Sequence, residues 1–257
     1  MNVLMQRCAA LAALVAFACP AGAAPCTAHS APTLTPLVEL YTSEGCNSCP
    51  PADRWLSRNF ADPAGAAALA FHVDYWNSDA WKDRFSSHAY SERQQQVADA
   101  NHASFVYTPQ VVLQGRSVQD WAGGGAARVA ALHAQPAGAA ITLRATATGD
   151  DVTVDATSQV ADPARRDGAK LYVALTVDGV ETAVKGGENR GVTLHHDHVV
   201  REISSGAAVD RTGRAEVSMH IARPAEGRAP AVVAFVQDPA RGDVLQAVTL
   251  ALDRCER

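Results

Sequence analysis

The stretch that decides the fold is residues 38–53, which read Val38-Glu39-Leu40-Tyr41-Thr42-Ser43-Glu44-Gly45-Cys46-Asn47-Ser48-Cys49-Pro50-Pro51-Ala52-Asp53. The run at 37–41 is short and apolar, as is typical of a buried β-strand. A polar turn that contains glycine follows it. The next segment, residues 51–61, has the apolar spacing of a helix. The two cysteines therefore lie at a junction between a strand and a helix.

Cys46 and Cys49 are three residues apart, and this spacing allows a small disulfide ring in the first turn of a helix. We expect Cys46 to lie at the helix N-terminus, where free N–H groups and the helix dipole favour a thiolate. Cys46 is then the predicted nucleophile, and Cys49 is predicted to resolve the mixed disulfide. The alternatives are a structural disulfide and half of a zinc site. The second alternative lacks a further CxxC or HxxxH motif to complete it.

A second feature that favours redox chemistry is Thr108-Pro109, which enters a predicted strand. Proline is unfavourable there unless its peptide bond is cis or the strand lies at an edge. We expect a cis bond that faces the two cysteines, as the thioredoxin fold uses to present backbone groups to a bound peptide. Thr108 and Pro109 are therefore predicted to bind substrate. Tyr75 and Trp76 either line the same groove or cover a gap between two domains.

The first 23 residues have the pattern of a secretory signal peptide. One positive charge in residues 1–7 precedes an apolar run at 8–19, and small residues lead to a predicted cleavage near Ala23. We expect a secreted or periplasmic protein without stable membrane insertion after cleavage, because no later apolar run reaches about 18 residues. The 257-residue chain has a formal charge of −5 and no basic stripe, so nucleic acid is not an expected partner.

Signal cleavage would leave four of the six cysteines. An even number of cysteines in an exported protein indicates disulfides. Once Cys46 and Cys49 are paired with each other, Cys26 and Cys255 remain, and we predict a structural disulfide between them. The alternative is that these two are exchangeable or intermolecular thiols.

The sequence changes character near residue 136. Residues 37–136 alternate strand-like and helix-like segments, which predicts an α/β layout with a small mixed sheet. Residues 137–257 contain about seven short β-rich runs separated by turn residues, which predicts an all-β sandwich of the immunoglobulin-like kind. The predicted organisation is a signal peptide at 1–23, an N-terminal segment at 24–36 and these two domains.

Further stretches on both sides of residue 136 carry a resemblance to a known family. They are Phe71-His72-Val73-Asp74-Tyr75-Trp76, Val106-Tyr107-Thr108-Pro109-Gln110, and Gly187-Glu188-Asn189-Arg190-Gly191 followed by His196 and Val199-Val200-Arg201. Together with residues 38–53, they resemble a family of secreted, uncharacterised thioredoxin-like proteins. The resemblance covers most of the mature chain. It implies a thioredoxin-like fold with a redox-type CxxC, and it implies no particular substrate.

In thioredoxins, a buried acid on the strand before the active site passes a proton to the resolving cysteine. Glu39 lies seven residues before Cys46, and the resemblance implies that it acts as the general base at Cys49. The alternative is that Glu39 faces solvent or caps a loop, because the register of the strand alone decides which face it occupies.

No cofactor and no metal site are predicted. In His195-His196-Asp197-His198, alternate residues share a face of a strand, which offers two ligands on each face without a third convergent one. A site built from His72 and Asp74 with the two cysteines is a further alternative, but a hydrogen-bonded pair at the strand end is the more usual outcome.

The leading hypothesis from the sequence is an exported thiol–disulfide oxidoreductase that uses Cys46 and Cys49, with a protein or a small thiol as its redox partner. The alternative is a non-enzymatic thioredoxin-like module that binds an envelope protein, a peptide or a metal ion. Solvent access discriminates between them. An exposed Cys46 beside a cis Pro109 favours exchange chemistry, whereas two buried sulfurs favour a structural role.

Overall fold

A computed structural model describes residues 26–148, 151–222 and 224–256, so the signal peptide predicted at 1–23 lies outside the described residues. The α-helices within these ranges are α1 (Pro50–Asn59), α2 (His88–Ala100) and α3 (Ala126–Leu132). The strands are β1 (Cys26–His29), β2 (Leu37–Thr42), β3 (Ala67–His72), β4 (Gln110–Leu113), β5 (Arg116–Ser117), β6 (Ala140–Thr148), β7 (Asp151–Gln159), β8 (Lys170–Asp178), β9 (Val180–Ala183), β10 (Thr193–His196), β11 (Val199–Ile203), β12 (Ala207–Ala208), β13 (Arg214–Ala222), β14 (Arg228–Gln237) and β15 (Val244–Ala251). No helix in the described ranges has the length and apolar character needed to cross a membrane.

One large sheet runs through both halves of the chain. Its strand order is β15-β14-β8-β11-β3-β2-β4-β5, and β12 pairs with β8. β2 lies between parallel β3 and antiparallel β4, and all six of its residues are buried. β11 pairs in parallel with β3 and antiparallel with β8, which joins the strands of the two halves. The sheet therefore crosses the boundary predicted at residue 136.

The two faces of β2 are covered by different helices. Val38 and Leu40 pack in one core with side chains of α1 and α3. Leu37 and Tyr41 pack in another core with side chains of α2, β8 and β14. Because side chains alternate between the faces of a strand, each β2 residue belongs to one face only. Val38, Leu40 and Thr42 therefore lie under α1, which begins directly after Cys49.

A second, four-stranded sheet has the antiparallel order β1-β6-β7-β13. Its inward side chains include Val152, Val154 and Ala156 of β7, which alternate with more exposed neighbours. They share an apolar core with residues of β8, β14 and β15 in the large sheet. Apart from β9 and β10, which pair with each other, the strands after residue 136 are therefore divided between two facing sheets, and each of these sheets also contains strands from before residue 136.

Residues 193–203 form two strands, β10 and β11, that belong to different sheets. His198 between them has a φ of 58°, and the Asp197 carboxylate accepts a hydrogen bond from the Gly179 amide at 2.7 Å. The chain turns there, because a positive φ cannot continue a strand. β10 leaves the large sheet and pairs with β9 instead. The β9–β10 connection, residues 184–192, is then free to lie beside the two cysteines.

Candidate active site

Cys46 and Cys49 form a disulfide in the segment between β2 and α1, with their Cα atoms 5.5 Å apart. Two backbone hydrogen bonds shape this segment. The Cys46 amide donates to the Ser43 carbonyl, and the Cys49 amide donates to the Cys46 carbonyl, each at 3.2 Å. Both are short-range turn bonds, so the local chain by itself can place the two sulfurs next to each other.

The expected position of Cys46 at the helix N-terminus needs a correction. The N-cap of α1 is Cys49, and its first two helical residues are Pro50 and Pro51, which have no N–H group. The next two amides, of Ala52 and Asp53, both donate to the Cys49 carbonyl. The start of the helix therefore presents no free backbone donor to Cys46.

The polar side chain beside the Cys46 sulfur is that of Ser48. Its Oγ lies 3.3 Å from Cys46 Sγ. This hydroxyl can donate to a thiolate, so it supplies part of the stabilisation that we expected from the helix N-terminus.

Both cysteines are fully buried, at 0% exposure. Residues 184–192, which we call the cover loop, contact the segment that carries them. The Asn189 side-chain amide donates to the carbonyls of Glu44 and Cys46, each at 2.9 Å. The Glu188 carboxylate accepts from the Asn47 amide at 3.1 Å. By the solvent-access criterion, this burial favours a structural role unless the cover loop moves.

Two glycines allow the cover loop to take its path, one against Ala80 and one beside Gly45. A Cβ atom at Gly186 would lie 2.1 Å from the Ala80 carbonyl oxygen, and Gly187 has a φ of 70° with Gly45 as its nearest neighbour. Glycine fits where two backbones approach this closely and where φ is positive.

A buried group of polar side chains lies at the ends of β2 and β3, on the side that α1 covers. Its members are Thr42, Glu44, Asp53, His72, Asp83 and His196. Thr42 and His72 end the parallel strands β2 and β3, where they are paired neighbours, and the Thr42 hydroxyl donates to Asp53 of α1 at 3.2 Å. His72 Nδ1 lies 2.7 Å from the Asp83 carboxylate, which also accepts from the Glu44 amide at 2.9 Å. Asp53 is four residues after Cys49, one turn along the same helix.

Burial and charge shift the pKa values in this group. Burial raises the pKa of Asp53 to about 6, although the neighbouring His72 acts in the opposite direction. Burial alone would lower the pKa of His72, but the Asp83 carboxylate outweighs it and raises that pKa. His72 and Asp83 therefore form a buried ion pair. Burial, followed by the charge of Asp83, also raises the pKa of Glu44. Asp53, with its pKa of about 6, is a carboxyl that can exchange a proton near neutral pH.

Several buried polar atoms of this group have no hydrogen-bond partner. They are both carboxylate oxygens of Glu44, Nε2 of His72 and both ring nitrogens of His196. His196 Nε2 is 3.7 Å from the Glu44 carboxylate, and the rings of His72 and His196 lie 4.9 Å apart. Burial, followed by the charge of His72, lowers the pKa of His196 to about 3, so its ring is neutral. Unpaired buried polar groups of this kind are destabilising, and strongly shifted pKa values concentrate at functional sites.

Glu39 does not belong to this group, which corrects its predicted role as general base at Cys49. It shares a face of β2 with Leu37 and Tyr41, so it points toward α2, away from α1. Its carboxylate accepts from Arg93 of α2 at 2.7 Å and from the Tyr41 hydroxyl at 3.3 Å. Because the permanently charged Arg93 guanidinium is paired with its carboxylate, Glu39 is a structural ion-pair partner.

Residues 37–237 match a family whose description is "protein of unknown function (DUF1223)". The chain belongs to this family. No curated protein matches it.

Two solved structures are similar to this DUF1223 chain. An X-ray structure of an Agrobacterium tumefaciens protein is 26% identical and has a TM-score of 0.60, and the alignment covers 85% of this chain and 95% of that one. HBP35 of Porphyromonas gingivalis is 14% identical with a TM-score of 0.65, over 88% of this chain and 77% of that one. The second likeness concerns the fold alone.

Among the residues predicted to bind substrate, Trp76 contacts the cysteine segment of this DUF1223 protein. The Thr108–Pro109 bond is cis. The Trp76 indole donates to the Thr108 hydroxyl at 2.7 Å, and Gly45 lies against Trp76. Tyr75 is 45% exposed and donates to Gln94 at 3.0 Å. Substrate binding by these four residues stays a prediction.

The predicted alternatives that involve metal receive no support. In the part of the chain that the structure describes, no group of three or more His, Cys, Asp or Glu side chains is arranged to hold a metal ion. The histidine side chains of residues 195–198 do not lie together in the fold. His196 is buried beside His72, whereas His195 is exposed and lies 3.1 Å from Glu181.

Cys26 and Cys255 form a disulfide, and both lie outside the residues that match DUF1223. The bond joins β1, at the edge of the four-stranded sheet, to the 3₁₀ turn after β15 of the large sheet. It therefore links the two sheets covalently.

Sequence reasoning missed Asp53, Asp83 and the pairing of His72 with His196. Asp53 carried a usable signal, since a polar residue four positions after Cys49 shares its helical face. Nothing in the sequence placed Asp83 or His196 beside His72, because turns of the chain that no local pattern specifies bring them together.

Proposed function

We propose that this chain is an exported thiol–disulfide oxidoreductase that exchanges disulfides through Cys46 and Cys49, with a protein or a small thiol as its partner. The observation that carries the proposal is Asp53. It is a buried carboxyl with a pKa of about 6, it lies one helical turn from Cys49, and it accepts a hydrogen bond from the Thr42 hydroxyl. Such a group suits proton transfer at neutral pH.

The proposed reaction starts from the reduced pair. The Cys46 thiolate attacks a substrate disulfide, forms a mixed disulfide and releases one substrate thiolate. Cys49 passes its proton to the Asp53 carboxylate and attacks the Cys46 sulfur, which releases the second substrate thiolate and leaves the Cys46–Cys49 disulfide. The released thiolate takes up a proton from water, and Asp53 returns its own proton to water. Because both sulfurs are buried, the reaction requires the cover loop to move away from Cys46.

The fold assignments are part of the proposal. A thioredoxin-like domain at 37–136 is supported by the order β3-β2-β4-β5, with α1 and α2 on opposite faces. An immunoglobulin-like sandwich at 137–257 is supported by the shared core between two facing sheets. Export to the periplasm or medium rests on the signal-peptide pattern and on the Cys26–Cys255 disulfide, which an oxidising compartment favours.

The second candidate function is a non-enzymatic binding module in which the Cys46–Cys49 disulfide is structural. The complete burial of both sulfurs favours it. Burial of the sulfurs does not explain the unpaired polar atoms of Glu44, His72 and His196, whereas a proton-handling site does. For this reason we place exchange chemistry first.

Trapping of a substrate tests the exchange reaction. A Cys49→Ala variant cannot resolve a mixed disulfide, so it is expected to accumulate covalent complexes in its native compartment, and a Cys46→Ala variant is expected to form none. The complexes are detected by non-reducing electrophoresis. If Cys49→Ala traps nothing and the wild-type protein shows no thiol-dependent reduction of insulin, the binding module is the correct function.

The Asp53→Asn variant is expected to gain stability and lose exchange activity. Because burial raises the pKa of Asp53 from 3.8 to about 6, the folded protein holds an extra proton between these values, and its free energy of unfolding falls as pH rises through this window. Removal of the charge is expected to stabilise the protein by about 3 kcal/mol at neutral pH and by nothing at pH below about 4. Insulin reduction is expected to fall about 100-fold.

Urea unfolding at the two pH values measures the stability change. The matched control is Asp79→Asn, which removes an exposed carboxylate on the neighbouring loop and is expected to change neither quantity. An Asp53→Asn protein that is less stable than wild type at neutral pH would contradict the role given to this carboxyl.

A further inference from the structure

The C-terminal half supplies an acidic group to the cysteine segment. Glu188 of the cover loop is 141 residues from Asn47 in sequence, and its Oε2 accepts the Asn47 amide at 3.1 Å. The next residue, Asn189, is buried and donates to the carbonyls of Glu44 and Cys46. The two bonds of Asn189 hold the loop in place, so the Glu188 charge lies beside the peptide that follows Cys46.

The position of Glu188 affects the charge that Cys46 carries when the disulfide is reduced. A thiolate is stabilised by nearby N–H donors and destabilised by nearby negative charge. Glu188 accepts the amide adjacent to Cys46 and adds a negative charge there. Pro50 and Pro51 remove two further donors from the start of α1. The Ser48 hydroxyl is left as the polar group beside the sulfur.

We propose that Glu188 is a positioning residue that disfavours the Cys46 thiolate and so makes the Cys46–Cys49 pair a reductant in disulfide exchange. The inference rests on the proposed exchange function. A dithiol whose thiolate is poorly stabilised favours its disulfide form and gives its electrons readily. In the net reaction the dithiol and a substrate disulfide yield the Cys46–Cys49 disulfide and two substrate thiols. A dithiol reductant of the same compartment returns two electrons and two protons.

The Glu188→Gln variant tests this proposal, because glutamine keeps an oxygen that accepts the Asn47 amide and removes the charge. In a Cys49→Ala background, Cys46 is the remaining free thiol and its ionisation is followed by ultraviolet absorbance of the thiolate. Glu188→Gln is expected to lower the titration midpoint of Cys46 by about half a pH unit, since Glu188 is exposed and its charge is partly screened. About 1 M salt is expected to abolish most of this difference.

The redox equilibrium is the second readout. With both cysteines present, at a pH where the thiolate is populated, Glu188→Gln is expected to shift the equilibrium with glutathione about threefold toward the dithiol. The control is Glu216→Gln, which removes an equal charge from the exposed face of β13. All variants retain the other titratable or charged groups of the cover loop and of the buried group near it, which include Glu44, Asp53, His72, Asp83, His196, Lys185 and Arg190.

The outcomes separate the inference from the function on which it rests. If wild type equilibrates with glutathione but Glu188→Gln and Glu216→Gln behave alike, the role of Glu188 is overturned and the exchange function stands. If the wild-type pair equilibrates with neither glutathione nor insulin, the exchange function fails and the inference fails with it. A contact that is only structural would change the urea midpoint without moving the thiol titration.

Discussion

Removal of the Cys26–Cys255 disulfide is expected to lower the free energy of unfolding by about 5 kcal/mol. The bond joins residues 229 positions apart, and a cross-link that closes so long a loop restricts the unfolded chain strongly. It also ties β1 to the end of the large sheet, where both cysteines pack against the core between the sheets. Urea unfolding of the Cys26→Ala/Cys255→Ala variant measures the loss.

The chain contains its own control for this prediction. The Cys46–Cys49 disulfide spans a separation of 3, and the same loop-entropy treatment gives about 2 kcal/mol for its removal. The Cys46→Ala/Cys49→Ala variant is therefore expected to remain the more stable of the two. Equal losses in both variants would show that loop entropy does not dominate the contribution of the long disulfide.

Replacement of Arg93 by methionine is expected to destabilise the protein by about 3–5 kcal/mol. The Arg93 guanidinium is buried, donates to Glu39 and to Gln237, and lies 5.0–5.5 Å from three aromatic rings. Without it, the Glu39 carboxylate, which is 0% exposed, would remain without a counter-charge. The large loss comes from this uncompensated charge more than from the lost packing.

A double-mutant cycle separates these two causes. The Arg93→Met/Glu39→Leu protein has no buried charge at this place, and we expect it to be more stable than either single variant. It is also expected to retain insulin reduction, because Glu39 lies on the face of β2 away from Cys49. If the stability losses of the two single variants simply add in the double variant, the ion-pair explanation is contradicted. If this double variant is folded but loses insulin reduction, Glu39 is again the candidate general base.

The local features of the site follow from the residues themselves. The apolar run before Cys46, the glycine-containing turn and the helical spacing after Pro51 predicted the elements observed at β2 and α1, to within one or two residues at most boundaries. The close pairing of Cys46 with Cys49 is also local, because turn hydrogen bonds within residues 43–49 place the sulfurs together. Hydrophobic periodicity and turn-forming residues act over a few positions, so these features can be read directly from the sequence.

The environment of the site was decided by the tertiary structure. Glu39 and Thr42 are on the same strand, but one faces Arg93 and the other faces Asp53, and a one-residue change of register would exchange them. Asn189 of the cover loop donates to the Cys46 carbonyl, although the two residues are 143 positions apart in the sequence.

The sequence by itself therefore determined where the cysteine pair lies and how it is spaced. Only the tertiary structure decided that the pair is buried, which carboxyl lies one turn from it and which charge faces it. Burial and ion pairing depend on contacts between strands and loops far apart in the chain, and the pattern within any one segment does not specify them.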